Sequence, residues 1–266
     1  INLLQRFLFL YYGQLSLFSK RPLKVLLFYL FCVLLSKKYM GKSVHTSLTE
    51  SHLIHSSLYD TYVFDLDGTL LNTLDDLAAS CNYALKQYGM PLKTVDEVRM
   101  MVGNGVKLLM IRAIPYGERN PQFEAAYQCF REYYLEHGLD TTAPYIGIDD
   151  MLQTLVSEGK RIAVVSNKFY EATQELVQHF FGDFIQVAIG ERENIRKKPA
   201  PDTVCEALKQ LGTTQTKTVY IGDSDVDIET AKNSKIPCLS VLWGFRDRDF
   251  LLQHGATELV ETPSNI

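Results

Sequence analysis

Two carboxylates one residue apart, Asp65-Leu66-Asp67, stand directly after an apolar run and directly before Gly68-Thr69-Leu70. At the end of a buried strand both can face a single pocket only if the chain turns at once, which Gly68 permits. Held that close, the pair resists double ionisation unless a divalent cation neutralises it. A site of oxygen donors suits a hard ion, with Mg²⁺ the natural partner. A second acidic group, Gly222-Asp223-Ser224-Asp225-Val226-Asp227, follows another apolar run far along the chain, and between the two come Ser166-Asn167-Lys168 and Arg196-Lys197-Lys198-Pro199-Ala200-Pro201. A hydroxyl and a lysine aimed at one point beside a magnesium site form a set that binds phosphate.

The elements that must position these groups are legible as apolar runs ending in Asp, Ser or Gly. Tyr62-Val63-Phe64 runs into Asp65, Arg161 to Val165 into Ser166, Phe184 to Ile189 into Gly190, Thr218 to Ile221 into Gly222-Asp223, and Ile236 to Leu242 into Trp243-Gly244. Apolar residues on consecutive positions, without alternation, are expected of strands covered on both faces. Helical patterns lie between them: Asp149 to Ser157 stops at Gly159, and Pro201 to Leu211 stops at Gly212. The fold class is therefore α/β, a Rossmann-like parallel sheet with crossover helices and ligands at the carboxyl ends of its strands.

One connection is too long for a single crossover. About 95 residues separate Asp65 from the next core strand, with helical patterns at Thr73 to Tyr88, Thr94 to Met101, Gly105 to Ile114 and Pro121 to His137. This predicts an inserted helical cap over residues 73–144, joined to a core of 59–72 and 145–266 by linkers near Asn72 and Ala143-Pro144. A cap on two linkers can open and close. Within it, Val102-Gly103-Asn104-Gly105-Val106 places glycines beside a helix start, where backbone N–H groups can approach an anion; an ordinary turn and helix start is the alternative.

At these residues the sequence resembles the haloacid dehalogenase superfamily of phosphohydrolases over roughly residues 60 to 255, with all four motifs in order at strand ends. The resemblance implies that Asp65 attacks phosphorus to give an aspartyl phosphate and that Asp67 serves as acid and then base. It implies Mg²⁺ held by Asp65, the Asp67 backbone carbonyl and Asp223, with Asp227 as outer support. Ser166 and Lys198, with Asn167 between them in the chain, would hold the phosphoryl group, Lys198 being preferred to Lys197 because it directly precedes Pro199. Dehalogenating relatives lack the acid at Asp67 and ion-pumping relatives have threonine there, so phosphatase or phosphomutase chemistry is implied. The cap pattern at Gly103, Asn104 and Gly105 is similar to that of phosphoglycolate phosphatases. The expected partner is a small phosphorylated metabolite; pyrophosphatase, nucleotidase, sugar-phosphate phosphatase and β-phosphoglucomutase-like activities are the alternatives. An idle metal-binding module and a membrane-tethered protein are readings from other classes.

Taken singly, the same residues have plainer roles. An Asp at a strand end often caps a helix, as Asp225 or Asp227 would, and Ser166 could do the same. Lys168, Arg196 and Lys197 read as solvated surface charges.

Charge divides the chain. Residues 1–58 hold seven basic side chains against one acidic, and the remainder 20 against 30. An acidic body argues against a general nucleic-acid surface. Five scattered cysteines without a CxxC suggest neither a disulfide framework nor a zinc cage and suit a reducing cytoplasm. Residues 25–35, VLLFYLFCVLL, rise only about 16 Å as a helix against a hydrocarbon core of about 30 Å. They resemble a signal-peptide hydrophobic region but lack a small-x-small cleavage site. The segment 1–58 is read as sequence upstream of a start at Met40 or Leu58, with a signal, membrane anchor or packed extension as alternatives. Met40-Gly41-Lys42-Ser43 is no P-loop, because Ser36 stands where its first glycine is required.

Overall fold

The computed structural model describes residues 58–266. The readings placed on residues 1–57 lie outside them. Six parallel strands form one sheet in the order β5-β4-β1-β6-β7-β8: β1 (Thr61–Phe64), β4 (Arg161–Phe169), β5 (Val187–Glu191), β6 (Thr218–Gly222), β7 (Cys238–Val241) and β8 (Leu259–Val260). β1 is central, in register with β4 through Phe64↔Val164 and with β6 through Phe64↔Ile221. The chain leaves β1 in one direction and returns on its other side as β6. This switch of direction opens a crevice at the carboxyl ends of β1, β4 and β6.

Both faces of the sheet are covered, which is why its strands are apolar at successive positions. Tyr62, Phe64, Val164 and Ile221 pack with α5 (Ile148–Ser157) and α6 (Tyr170–Phe181). Val63, Val165 and Tyr220 pack on the opposite face with α7 (Asp202–Leu211) and with Ala231 of α8 (Asp225–Asn233). α9 (Arg248–Gln253) precedes β8.

Four helices fill the long connection: α1 (Leu74–Gln87), α2 (Val95–Met101), α3 (Val106–Ala113) and α4 (Phe123–His137). Thr94 caps α2 in a reciprocal box with Glu97, so the start of that helix is written in T-x-x-E. The four helices surround a separate apolar cluster that includes Leu77, Leu109, Phe130 and Tyr134, and that draws in Phe169 and Ala172. Where the connection leaves and returns, β2 (Leu71–Asn72) pairs antiparallel with β3 (Ala143–Pro144). Asp76, in the first turn of α1, adds a polar clasp by accepting from the N–H and hydroxyl of both Thr141 and Thr142.

Two strand boundaries differ from the sequence expectation. Phe184 and Ile185 do not join β5, because their N–H groups bond the Phe181 carbonyl and close the end of α6. Ile236 likewise closes α8 by donating to Ala231 instead of opening β7. β4 continues beyond Val165 to Phe169 through a register shift against β5. Among the described residues no helix is long and apolar enough to cross a membrane.

Candidate active site at the sheet edge

Asp65 sits where the central ladder ends: its N–H still bonds Ile221 of β6 at 2.8 Å, while its side chain enters the crevice. The chain then folds back at once, the Leu66 carbonyl accepting from Thr69, Leu70 and Leu71. Gly68 makes this possible with φ +88°, and a Cβ there would overlap the Asp223 carboxylate. The turn and the close packing each require glycine.

β6 delivers Asp223 to the same place, and α8 adds Asp227 from its first turn. Carboxylate oxygens of Asp65, Asp223 and Asp227 lie within 4.8 Å of one another, and all three residues are buried. Lys198 Nζ stands 2.6 Å from Asp65 Oδ1 and 2.8 Å from Asp227 Oδ1. It also donates to the Tyr220 hydroxyl at 3.1 Å, which in turn donates to Asp227 Oδ1 at 2.9 Å. Asp227 Oδ2 accepts from the N–H and hydroxyl of Ser224. With both oxygens so engaged, Asp227 supports the cluster by holding Lys198. Asp223 Oδ2 accepts from Phe245 N at 2.7 Å.

Burial and crowding raise the affinity of Asp65 and Asp223 for protons. Asp65 lies well above the ordinary carboxylate range, chiefly because it is desolvated; Lys198 opposes the rise, while Asp227 and Asp223 add to it. Desolvation, with the charge of Asp227, pushes Asp223 up to about 7. For Lys198 burial works against the charge, but Asp227 and Asp65 more than offset it and its pKa is raised. One lysine against three buried carboxylates leaves an excess of negative charge, and the donors are all oxygen. This set fits a hard divalent cation, with Asp65 and Asp223, which line the crevice, the acids placed to meet it.

β4 contributes three consecutive residues. Its register shift falls between Val165 and Phe169, which lets Ser166, Asn167 and Lys168 all line the crevice. Ser166 Oγ accepts from Lys168 N at 3.1 Å. The Asn167 amide is committed to protein: it brackets the Lys198 backbone, accepting from its N–H at 2.8 Å and donating to its carbonyl at 3.0 Å. It also donates to the Gly103 carbonyl at 3.3 Å, joining the sheet edge to the helical group.

Gly103 and Gly105 line the crevice from the helical side. Asn104, also expected there, is not among the lining residues; its Oδ1 accepts from exposed Arg112. Arg196 and Lys197 lie at the surface, paired with Asp202 and Glu191. Lys168 corrects the sequence reading. Instead of a solvated charge it is a buried one, its side chain 1% exposed, 3.0 Å from Asp67 Oδ1 and 2.9 Å from the Tyr134 hydroxyl. A charged residue next to Ser166-Asn167 on a strand end was the available signal, and its place in the β4 irregularity hid the side it takes.

Two further contributors carried no motif. Tyr220 lies inside an apolar strand, so its hydroxyl could be assigned only once Lys198 was placed. Arg246, in the loop after β7, is buried and lines the crevice; it donates to the Arg99 carbonyl at 2.7 Å and the Val102 carbonyl at 2.9 Å. Among the described residues its Nε has no hydrogen-bond partner, though it is buried.

A parallel sheet that gathers a paired-Asp turn, a buried lysine, a strand-end hydroxyl and a second acidic loop at one carboxyl edge defines an α/β hydrolytic enzyme. Residues 62–241 match the family model described as haloacid dehalogenase-like hydrolase. The chain belongs to that family, and its relatives make it a phosphatase within it. It is 33% identical over 184 residues to a phosphoglycolate phosphatase of Aquifex aeolicus, covering 69% of this chain and 84% of that one. A phosphoglycolate phosphatase of Pseudomonas putida is 30% identical over 208 residues, covering 76% and 74%. Among solved structures, a protein of Lactobacillus delbrueckii subsp. bulgaricus described provisionally as a phosphoglycolate phosphatase superposes with TM-score 0.74 at 38% identity, covering 77% of this chain and 95% of that one.

Proposed function

We propose that the protein is a Mg²⁺-dependent phosphoglycolate phosphatase that works through an aspartyl phosphate on Asp65. The observation that carries this reading is the convergence of Asp65, Asp67 and Asp223 in a crevice lined by Gly103 and Gly105, with Lys198 buried against Asp65 rather than lining the crevice itself. Relatives named phosphoglycolate phosphatase support the substrate.

Asp65 attacks phosphorus while the bond from phosphorus to the leaving oxygen breaks. Asp67 gives its proton to that oxygen, and glycolate departs. The ionised Asp67 then takes a proton from water as the water oxygen attacks phosphorus; the bond to Asp65 breaks, and phosphate is released. Ser166 and Lys198 hold the phosphoryl oxygens, and Asn167 fixes Lys198 by its backbone. Asp65, the Asp67 carbonyl and Asp223 would hold Mg²⁺, supported by Asp227. When bound, the ion neutralises the crowded acids and draws charge from a phosphoryl oxygen.

Residues 73–144 act as a cap over this edge, with the β2–β3 pair as its hinge. The substrate carboxylate is received by the N–H groups at Gly103 and Gly105 and by Arg246, whose guanidinium is held, among the described residues, by two carbonyls of the helical group and by no carboxylate.

A panel of phosphoglycolate, pyrophosphate, nucleoside monophosphates and hexose phosphates, assayed with Mg²⁺, tests the assignment. Phosphoglycolate is expected to rank first in kcat/KM. A ranking no better than generic esters removes the substrate, and absence of phosphate release from every compound removes the activity.

A further inference from the structure

Asp67 is gripped from two sides on one oxygen. Thr73 Oγ1 donates to Asp67 Oδ1 at 2.5 Å, and Lys168 Nζ lies 3.0 Å from the same atom. Among the described residues no hydrogen bond or ion pair falls on Oδ2. Oδ2 is therefore the oxygen available to exchange a proton with a leaving group.

The grip extends into the helical group. Lys168 Nζ donates to the Tyr134 hydroxyl at 2.9 Å and lies 4.4 Å from the centre of its ring. Tyr134 belongs to α4 and is 2% exposed, inside the apolar cluster of the helices. The next residue, Phe169, meets Tyr134 edge-on at 6.1 Å between ring centres and lies under Arg131 at 4.6 Å. The end of β4 is thus keyed to α4 by Lys168 and Phe169 together, and Lys168 touches Asp67 and α4 at once. A buried ammonium with a carboxylate and a phenol as its two partners has little freedom to move independently of either.

We propose that Lys168 and Tyr134 form a positioning relay that sets Asp67 for proton delivery to the leaving group when α4 is seated on the sheet edge. Lys168 touches neither substrate nor phosphoryl group in this role; it acts through Asp67. The relay rests on the phosphatase reading given above and adds how the helical group controls the acid. When α4 lifts, Tyr134 leaves Lys168, the Lys168 anchor on Asp67 is no longer fixed in place, and protonation of the leaving oxygen slows.

Leaving-group dependence separates this role from a merely structural one. An alkyl phosphate such as phosphoglycolate needs a proton on its departing oxygen, whereas 2,4-dinitrophenyl phosphate releases a stable phenolate without one. Lys168→Met is expected to lower kcat on phosphoglycolate by about 100-fold or more, in line with the usual effect of general acids, with KM changed by less than about 3-fold. The first-turnover release of dinitrophenolate is expected to stay within about 3-fold of wild type, with an amplitude of about one per site that also counts folded sites. Tyr134→Phe, which removes only the hydroxyl, is expected to show the same selectivity with a smaller loss of about 10-fold. Equal losses on both substrates in Tyr134→Phe, or full turnover of phosphoglycolate by either variant, overturn the relay alone. If wild type acts on neither substrate, the phosphatase reading fails and the relay with it.

Discussion

Lys198 Nζ lies 2.6 Å from Asp65 Oδ1, with both side chains almost fully buried, so the lysine proposed to hold phosphate is paired with the carboxylate proposed to attack it. On the proposed mechanism an incoming phosphoryl group would take over Lys198 and free Asp65. Replacement of Lys198 by Met is expected to lower kcat by about 10³-fold, the scale of losing a preorganised charge partner. It leaves two buried acids short of a cation and is expected to cost about 3 kcal/mol of stability. Steady-state kinetics and urea unfolding measure the two effects; a variant of near-normal rate contradicts the role.

The acid cluster is expected to make the fold responsive to divalent cations. Mg²⁺ at about 100 times its Kd is expected to stabilise the protein by about 2.7 kcal/mol, several degrees in Tm. Asp223→Asn is expected to lose most of that shift. Thermal melts with EDTA and with Mg²⁺ report it; an equal shift in the variant would place the ion elsewhere.

Asp76 links pH to stability at the hinge. Burial alone would raise its pKa, but the hydroxyl and N–H donors of Thr141 and Thr142 outweigh this and hold it below the usual carboxylate value. A depressed folded-state pKa gives stability that is present above the unfolded value, near 3.9, and lost as pH falls through the folded one. Wild type is therefore expected to lose stability below about pH 4 more steeply than Asp76→Asn. At pH 7 the variant is expected to be weaker by about 2 kcal/mol from the loss of charged hydrogen bonds. Parallel acid-titration slopes in the two proteins would contradict the assignment.

Much of this was legible in the sequence because the acids of the candidate site sit at strand ends, where an apolar run stops in a polar pair. Asp65 and Asp223 announce themselves that way, and Gly68 marks the turn between Asp67 and the rest of the chain. The α/β class followed from uninterrupted apolar strands, and the helical insertion from the length between Asp65 and Arg161. What stayed hidden depends on which way a side chain turns. Lys168 looked like surface charge because the shift in β4 that turns it inward has no local signature. Asn104 lies beside two glycines that line the crevice, yet its amide turns to Arg112. Tyr220 meets Lys198 and Arg246 meets the carbonyls of Arg99 and Val102, pairings distant in the chain that no periodicity could reveal.

Arg246 is predicted to discriminate substrates by their second anion. Arg246→Met is expected to lower kcat/KM for phosphoglycolate by about 10- to 100-fold, the worth of a charged hydrogen-bond pair. For p-nitrophenyl phosphate, which has no carboxylate, the loss is expected to stay below about 5-fold. Arg246→Lys is expected to recover little, since an ammonium cannot span the Arg99 and Val102 carbonyls while presenting a planar fork. Equal losses on both substrates would confine Arg246 to holding the helical group.

The covalent step is tested most directly by acid-quenching the enzyme during turnover of ³²P-labelled phosphoglycolate with Mg²⁺ and mapping the labelled peptide. Label is expected on the peptide carrying Asp65, discharged by hydroxylamine and absent from Asp65→Asn. Turnover with no trapped label, or label on a peptide without Asp65, would contradict the account.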